Sequence, residues 1–96
     1  MIAEIQVLPS PSGTAASRFA HVDAAIEAIV ASGLAYEVGA LGTTLEGSPD
    51  ELWPLLRTVH EACLAAGATS VVTMIKVAQG EGDAGLTVGD LTGPWR

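Results

Sequence analysis

The chain of 96 residues has little positive charge and few aromatic side chains. Four lysines and arginines stand against eleven aspartates and glutamates, which gives a formal net charge of −7. Such a charge opposes binding to phosphate backbones and to anionic membrane surfaces. A sheet that binds RNA also needs basic and aromatic residues, and aromatics make up only 4% of the chain. We therefore expect neither nucleic acid nor a membrane as a partner.

The scarcity of other residue types excludes several kinds of site. A single cysteine, Cys63, allows neither an internal disulfide nor a Cys-x-x-Cys copper site, and its position on an apolar helix stripe predicts a core residue. Acylphosphatase chemistry needs an asparagine, which the chain lacks, and no glycine-rich phosphate loop is present. His21 and His60 have no further ligand at metal spacing, so we predict no metal, no cofactor and two solvent-facing helix histidines.

Long apolar runs are also missing, although the chain is apolar on average. No stretch approaches the length of a membrane span, and the N-terminus lacks the basic and apolar regions of a signal peptide. We therefore expect a cytoplasmic protein. Hydrophobic residues make up 49% of the chain, charged residues 16%, and the mean hydropathy is +0.43. These charges are too few to cover a monomer, so we expect a homo-oligomer.

Residue spacing predicts the order strand, helix, strand, strand, helix, strand. Alternation predicts a first strand from Ile2 to Leu8, ended by a proline, and a last strand from Thr69 to Val77 that is apolar on both faces. Spacings of three and four predict a helix from about Ser17 to Ser32. A second helix is predicted from a capping box at Ser48 to Gly67, with its first turns distorted by an internal proline.

This order is that of an α+β, ferredoxin-like split βαβ fold (βαββαβ). It consists of a four-stranded antiparallel sheet with two helices on one face. We treat 1–96 as a single domain, with a core over 1–79 and a glycine-rich hairpin or tail over 80–96. Within the tail, 86–88 is a candidate short fifth strand.

The second face of such a sheet is left open. Lys76 on that face would be a buried, unpaired charge unless a second copy supplied a carboxylate. The residues predicted on the open face are Glu4, Gln6, Thr44, Glu46, Val72, Met74 and Lys76.

Residues 34–47 place many polar groups on a hairpin between the two helical patterns. Three glycines there permit turns and close approach of a ligand. Alternation predicts Leu41, Thr43 and Leu45 on one face, where the Thr43 hydroxyl needs a partner that apolar packing does not supply. The predicted ligand-binding residues are Tyr36, Glu37, Thr43, Thr44 and Glu46 of the hairpin, with Ser10 and Ser12 of the loop before the first helix.

Three functions of different classes stay open on these residues. Non-catalytic binding of a small molecule is the leading hypothesis, because Glu37 and Glu46 have no nucleophile, histidine or cofactor motif beside them. We accordingly predict no catalytic residues. The second is a structural or regulatory assembly module whose polar hairpin only satisfies hydrogen bonds at a subunit interface. The third is an enzyme of the ferredoxin-like isomerase or oxygenase kind, with one of these carboxylates facing a pocket.

Three segments resemble the small thiamine-binding-protein family of bacteria and archaea. They are Met-Ile-Ala-Glu-Ile-Gln-Val-Leu-Pro at the start, Tyr-Glu-Val-Gly-Ala-Leu-Gly-Thr-Thr-Leu-Glu-Gly over 36–47, and Val-Val-Thr-Met-Ile-Lys-Val over 71–77. The family pattern falls on Tyr36, Glu37, Gly39, Gly42, Thr43, Glu46 and Gly47.

The resemblance implies a ferredoxin-like domain assembled through its sheets as a homotetramer, a dimer of dimers. It also implies binding of thiamine or of its hydroxymethylpyrimidine portion. The expected partner is therefore a small molecule that is cationic or carries an aminopyrimidine. A pocket for thiamine would want a carboxylate, hydroxyls and an aromatic or apolar wall, and the acidic chain would attract the cation.

We expect the protein to be an oligomer in solution, because its apolar fraction and the position of Lys76 both call for a second layer over the open sheet. Light scattering at micromolar concentration should give a mass above the 9.7 kDa of one chain. Lys76→Glu should weaken the assembly if Lys76 lies beside carboxylates of a second copy. A monomer at that concentration would contradict the prediction.

Overall fold

The computed structural model describes residues 1–82 and 86–96. Its sheet contains the strands β1 (Ile2–Ser10), β2 (Ala35–Val38), β3 (Thr43–Glu46) and β4 (Ser70–Ala78). Its helices are α1 (Ala20–Ser32), α2 (Pro49–Ala65) and the short α3 (Val88–Thr92), followed by a 3₁₀ turn over Gly93–Trp95. The strands are antiparallel in the order β2-β3-β1-β4, which confirms the predicted ferredoxin-like architecture. Among these residues no helix is long and apolar enough to cross a membrane.

One face of the sheet packs against α1 and α2 and forms the core. Ala3 and Ile5 of β1 and Leu45 of β3 are at most 3% exposed, because alternate residues of paired strands point to the same face. The helices contribute Ala25, Ile29, Leu52, Leu55, Leu56, Val59 and Cys63. Burial of Cys63 confirms its predicted core position and raises the pKa of its thiol.

Two predicted boundaries near the N-terminus are wrong. β1 continues through Pro9. It pairs with β3 only as far as Ile5, so the remainder of β1 has one free edge, where proline is tolerated. α1 begins at Ala20 because Ser17 is held in a preceding turn. The Thr14 hydroxyl accepts a hydrogen bond from the Ser17 amide at 3.1 Å, and the Ser17 carbonyl accepts one from the Thr14 amide at 2.8 Å.

α2 begins at the predicted capping box and is not distorted by its internal proline. Ser48 Oγ accepts the Glu51 amide at 3.2 Å, and Glu51 Oε1 accepts the Ser48 amide at 3.1 Å. These hydrogen bonds lower the pKa of the Glu51 carboxyl. The helix is continuous through Pro54, contrary to prediction, and ends at Ala65. The amide hydrogen that Pro54 lacks would bond to the carbonyl of Asp50, an exposed residue in the first turn of the helix, so its loss leaves no buried acceptor without a partner.

The C-terminal segment, residues 86–96, contains a short helix where a fifth strand was the candidate. Thr87 Oγ1 accepts the Asp90 amide at 3.0 Å, and Asp90 Oδ2 accepts the Thr87 amide at 3.0 Å. This second capping box starts α3 at Val88, inside the candidate strand. The part of the predicted tail at 83–85 lies outside the described residues.

The apolar pattern of β4 predicts a strand covered on both faces, but within one chain β4 is an edge strand that is exposed on both. Met74 on the open face is 52% exposed, and Ile75 on the helix side is 41% exposed. The Lys76 side chain is 87% exposed, and its Nζ lies 4.0 Å from Glu4 Oε1. Within one chain Lys76 is therefore exposed and lies beside a carboxylate, so the prediction of a buried, unpaired charge does not hold for the single chain.

Ser48→Ala should lower the free energy of unfolding by about 1 kcal/mol, because it removes the acceptor for the Glu51 amide. Denaturant unfolding at one fixed protein concentration measures this loss. The control is Ser17→Ala. The Ser17 side chain is exposed, and its hydroxyl makes no hydrogen bond with any residue that the structure describes, since the bond to Thr14 comes from the Ser17 backbone amide. The pKa of Glu51 is lower in the folded protein than its ordinary value of 4.5. The ionised carboxyl therefore adds to the free energy of unfolding above pH 4.5, and this addition is lost as the pH falls through the pKa of Glu51 in the folded protein. Equal losses for Ser48→Ala and Ser17→Ala would contradict the role of the cap.

Candidate functional site

A cavity of about 160 Å³ opens between α1, the sheet and the β2–β3 hairpin. Its walls are mainly aliphatic because α1 and β1 turn their apolar faces toward each other. The main wall residues are Val22, Ile26, Ile29, Ile5, Val7 and Val38. Residues 39–42, which connect β2 to β3, border the same cavity, and we call this connection the mouth.

The mouth depends on two glycines because its backbone approaches other backbone closely. The Gly39 amide donates to the Gly42 carbonyl at 2.8 Å, and a Cβ on Gly39 would lie 3.0 Å from that oxygen. A Cβ on Gly42 would lie 3.1 Å from the Ile5 carbonyl oxygen. This tight turn places Leu41 outside β3, where it is 80% exposed. The prediction that Leu41 shares the buried strand face with Thr43 is therefore wrong.

Thr43 places a hydroxyl on the apolar cavity wall. It is 5% exposed and lies on the same side of the sheet as Leu45, as predicted. Within residues 1–82 and 86–96, no side-chain hydrogen bond involves this hydroxyl. No fully buried side-chain polar atom in those ranges lacks a partner. The hydroxyl is therefore not fully buried, and it belongs to a residue that borders the cavity.

Three other predicted residues, Glu37, Thr44 and Glu46, lie on the opposite face of the sheet. Glu37 pairs with Thr44, and Thr44 pairs with Glu4 of β1, so all three point away from the buried residues beside them in sequence. Arg96 Nη1 donates a hydrogen bond to Glu37 Oε2 at 3.0 Å, and Arg96 Nη2 lies 3.0 Å from Glu37 Oε1. This contact with the carboxylate raises the pKa of the Arg96 guanidinium. Both hairpin carboxylates are therefore separated from the cavity by the sheet.

The C-terminal segment lies over this end of the open face. Glu46 Oε1 accepts the Val88 amide at 2.8 Å. Ile2, the cross-strand neighbour of Glu46, is 8% exposed although it points away from the helices. The burial of Ile2 is consistent with a position beneath the C-terminal segment, which Glu46 and Glu37 bind through Val88 and Arg96.

The remaining predicted residues, Tyr36, Ser10 and Ser12, are not among the described residues that line the cavity. Tyr36 pairs with a residue of the helix-facing side and is 46% exposed. The Ser10 carbonyl accepts the Thr69 hydroxyl at 2.8 Å, and Ser12 Oγ donates to the Arg18 carbonyl at 3.0 Å. Ligand contact by each of the seven predicted residues stays a prediction.

The aliphatic wall residues are the part of the cavity that sequence reasoning did not assign to a site, whereas the glycines of the mouth were predicted to permit close approach of a ligand. Helical spacing places residues such as Ile26 on the apolar side of α1, and that signal is the same whether a side chain fills a core or borders a cavity.

Both histidines are less exposed than predicted. His21 is 4% exposed, and its Nδ1 lies 2.7 Å from the Pro11 carbonyl oxygen, because the loop before α1 folds over the start of that helix. His60 is half-buried, with Nδ1 2.6 Å from Thr73 Oγ1 of β4. In the part of the chain that the structure describes, no group of three potential metal ligands is present.

The fold and the cavity define a class: a ferredoxin-like α+β protein with an aliphatic cavity between a helix and a strand hairpin. The model of the family described as thiamine-binding protein matches residues 3–88, and the chain belongs to that family.

The chain is also similar in sequence or in structure to several other proteins. A UPF0045 protein of Clostridium perfringens is 33% identical over 92 residues, which cover 96% of this chain and 93% of that protein. A solved Bacillus cereus domain of unknown function superposes with a TM-score of 0.87 at 35% identity, covering 99% of this chain and 88% of that one. A Thermotoga maritima structure, provisionally described as a thiamine biosynthesis/salvage protein, has a TM-score of 0.82 at 24% identity, covering 99% and 97%, and shows the shared fold.

Glu46→Ala should loosen the C-terminal segment, because Val88 loses its carboxylate acceptor. Hydrogen exchange at the Val88 amide should become about fivefold faster, which corresponds to a hydrogen bond worth about 1 kcal/mol. Exchange measured by NMR reads this amide directly. Thr44→Val is the control on the same face, and an unchanged rate in Glu46→Ala would contradict the anchoring role.

Proposed function

We propose that the protein binds thiamine, or a related hydroxymethylpyrimidine-type molecule, without transforming it. The observation that supports this most directly is the Thr43 hydroxyl, which lies without a hydrogen-bond partner among the described residues on an aliphatic cavity wall. A flat heteroaromatic ring would bury apolar surface against the walls and offer this hydroxyl a partner. Membership of the thiamine-binding protein family supplies the ligand class.

The size of the cavity fits part of such a ligand. Pockets that enclose drug-sized molecules have volumes of about 300 to 1,000 Å³. At about 160 Å³, this cavity takes one ring, and the remainder of a two-ring ligand extends past the mouth.

The cavity lining favours binding over catalysis. None of the described side chains that line it belongs to a titratable residue type. General acid–base catalysis needs such a group within hydrogen-bonding reach of the substrate. Retention of the ligand is therefore the role we propose, rather than an isomerase or oxygenase reaction.

We also propose a cytoplasmic homotetramer, a dimer of dimers, built through the open sheet face. Leu8 is 48% exposed, Val72 63% and Met74 52%, and these three residues of β1 and β4 share that face. The Glu4–Lys76 pair beside them offers complementary charges to a second copy. This face is also what favours the second candidate function, an assembly module without a ligand.

The proposed function predicts that Thr43→Val weakens binding of thiamine. The substitution keeps the β-branched shape and removes one hydroxyl, so the loss should be about 0.5 to 1.5 kcal/mol. Calorimetric titration of the assembled protein measures the affinity, and Thr44→Val on the opposite face is the matched control. Equal affinity of Thr43→Val and the parent would remove Thr43 from the site. If thiamine, its phosphates and hydroxymethylpyrimidine all fail to bind at millimolar concentration, the proposed function is lost.

A further inference from the structure

We infer that Arg96 is a positioning residue for the cavity, because by binding Glu37 it holds β2, the strand that carries one cavity wall, in place on the sheet. Glu37 then acts on the site through β2, without touching the ligand. The inference rests on the proposed function, since it names residues outside the cavity on which binding in the cavity depends.

β2 is weakly held in the sheet. It has four residues, pairs only with β3 among the described strands and contains no buried residue, so little apolar packing keeps it in place. Its end nevertheless belongs to the site, because Val38 and Gly39 line the cavity and Val38 pairs with Thr43. Movement of β2 away from β3 would therefore open the cavity beside Thr43.

The C-terminal segment gives β2 a second attachment. Arg96 meets Glu37 through both Nη atoms, each 3.0 Å from one carboxylate oxygen. Such a two-pronged contact fixes the direction of the carboxylate as well as its distance. No other side chain of β2 makes a hydrogen bond with a residue that the structure describes. The contact with Arg96 is thus what ties the side chains of this strand to another element.

The other end of the C-terminal segment is attached to β3, which is paired on both sides. Glu46 of β3 accepts the Val88 amide at 2.8 Å, and Glu46 itself pairs with Ile2 of the central strand β1. Val88 begins α3, and Arg96 follows the 3₁₀ turn after that helix. The segment therefore braces the edge strand β2 against the inner strands across the open face.

The alternative role for Glu37 is direct contact with a cationic ligand. Glu37 lies on the face opposite the cavity, because its neighbour Val38 borders the cavity and successive residues of a strand point to opposite faces. Its carboxylate is also engaged by Arg96. The two roles give opposite results when Arg96 is replaced. Loss of positioning weakens binding, whereas a freed carboxylate strengthens the binding of a cation.

Hydrogen exchange of the protein without ligand tests the positioning by itself. Arg96→Gln should speed exchange of the Gly39 amide, which donates to the Gly42 carbonyl just beyond β2. The expected factor is about two- to fivefold, as for an exposed ion pair, since the two side chains are 59% and 51% exposed. The Ala66 amide, bonded to the Ala62 carbonyl at the end of α2, should exchange at an unchanged rate. Unchanged Gly39 exchange, or equal acceleration of both amides, would overturn the inference.

Arg57→Gln is the matched control for the loss of an ion pair. Arg57 Nε lies 3.0 Å from Glu61 Oε1 on the exposed face of α2, so this variant breaks an arginine–glutamate pair and removes the same charge. Gly39 should exchange in it at the rate of the parent. About 1 M salt screens the Arg96–Glu37 pair, so it should speed Gly39 exchange in the parent and not in Arg96→Gln. An equal salt response in both would overturn the role of the pair.

Titration connects the positioning of β2 to binding. Arg96→Gln should bind thiamine and uncharged hydroxymethylpyrimidine about two- to fivefold more weakly than Arg57→Gln does, because a smaller fraction of the protein has β2 in place. Comparison with Arg57→Gln cancels the change in net charge. Equal affinities of the two variants would overturn the inference. Tighter binding of thiamine by Arg96→Gln would overturn it in favour of direct contact between Glu37 and the cation.

The two measurements distinguish failure of this inference from failure of the proposed function. If the parent binds the ligands and Arg96→Gln matches Arg57→Gln in both exchange and affinity, only the inference is lost. If the parent binds neither thiamine nor hydroxymethylpyrimidine at millimolar concentration, the proposed function is lost together with the role of Arg96 in binding. Exchange of the Gly39 amide then still decides whether Arg96 holds β2.

Discussion

The pairing of β3 with the central strand β1 decides which residues of the hairpin face the cavity. The register joins Ala3 to Leu45 and Ile5 to Thr43, so Thr43 enters the helix-facing side together with the core. A shift by one residue would turn Glu46 and Thr44 inward and expose Leu45. The burial of Leu45, which is 0% exposed, makes that shift unfavourable. Hydrophobic packing of one leucine thus holds the polar group of the cavity in place.

The same register divides the sheet into two chemically different faces. The helix-facing side carries the cavity, with aliphatic walls and a hydroxyl. The opposite side carries a row of paired residues across all four strands, Glu37, Thr44, Glu4 and Lys76, flanked by the exposed apolar residues of β1 and β4. The proposed ligand site and the proposed association surface therefore lie on different sides of one layer, and substitutions can be chosen that change one and leave the other intact.

Much of the fold follows from the sequence because local and global signals agree. Alternation identified the inward face of β1, the capping box marked the start of α2, and strand periodicity placed Thr43 inward. The failures occurred where tertiary contacts decide the local structure. His21 was predicted to face solvent, yet it shares the buried side of α1 with Ala25 and the loop at Pro11 folds over it. Pro54 is tolerated because the hydrogen bond it removes belongs to the carbonyl of Asp50, an exposed residue of the first turn. The cavity itself has no sequence signal, since its aliphatic walls repeat with the period of an ordinary core.

The anchoring of the C-terminal segment to Glu37 and Glu46 gives the molecule two optical reporters on opposite sides of the sheet. Trp95 belongs to the anchored segment and is 86% exposed, whereas Trp53 lies on α2 in the helix layer and is 51% exposed. The chain has no other tryptophan. Replacing either indole by phenylalanine would leave an emission signal from one layer alone, so the fluorescence spectra of the two single-tryptophan variants would separate events at the sheet face from events in the helix layer.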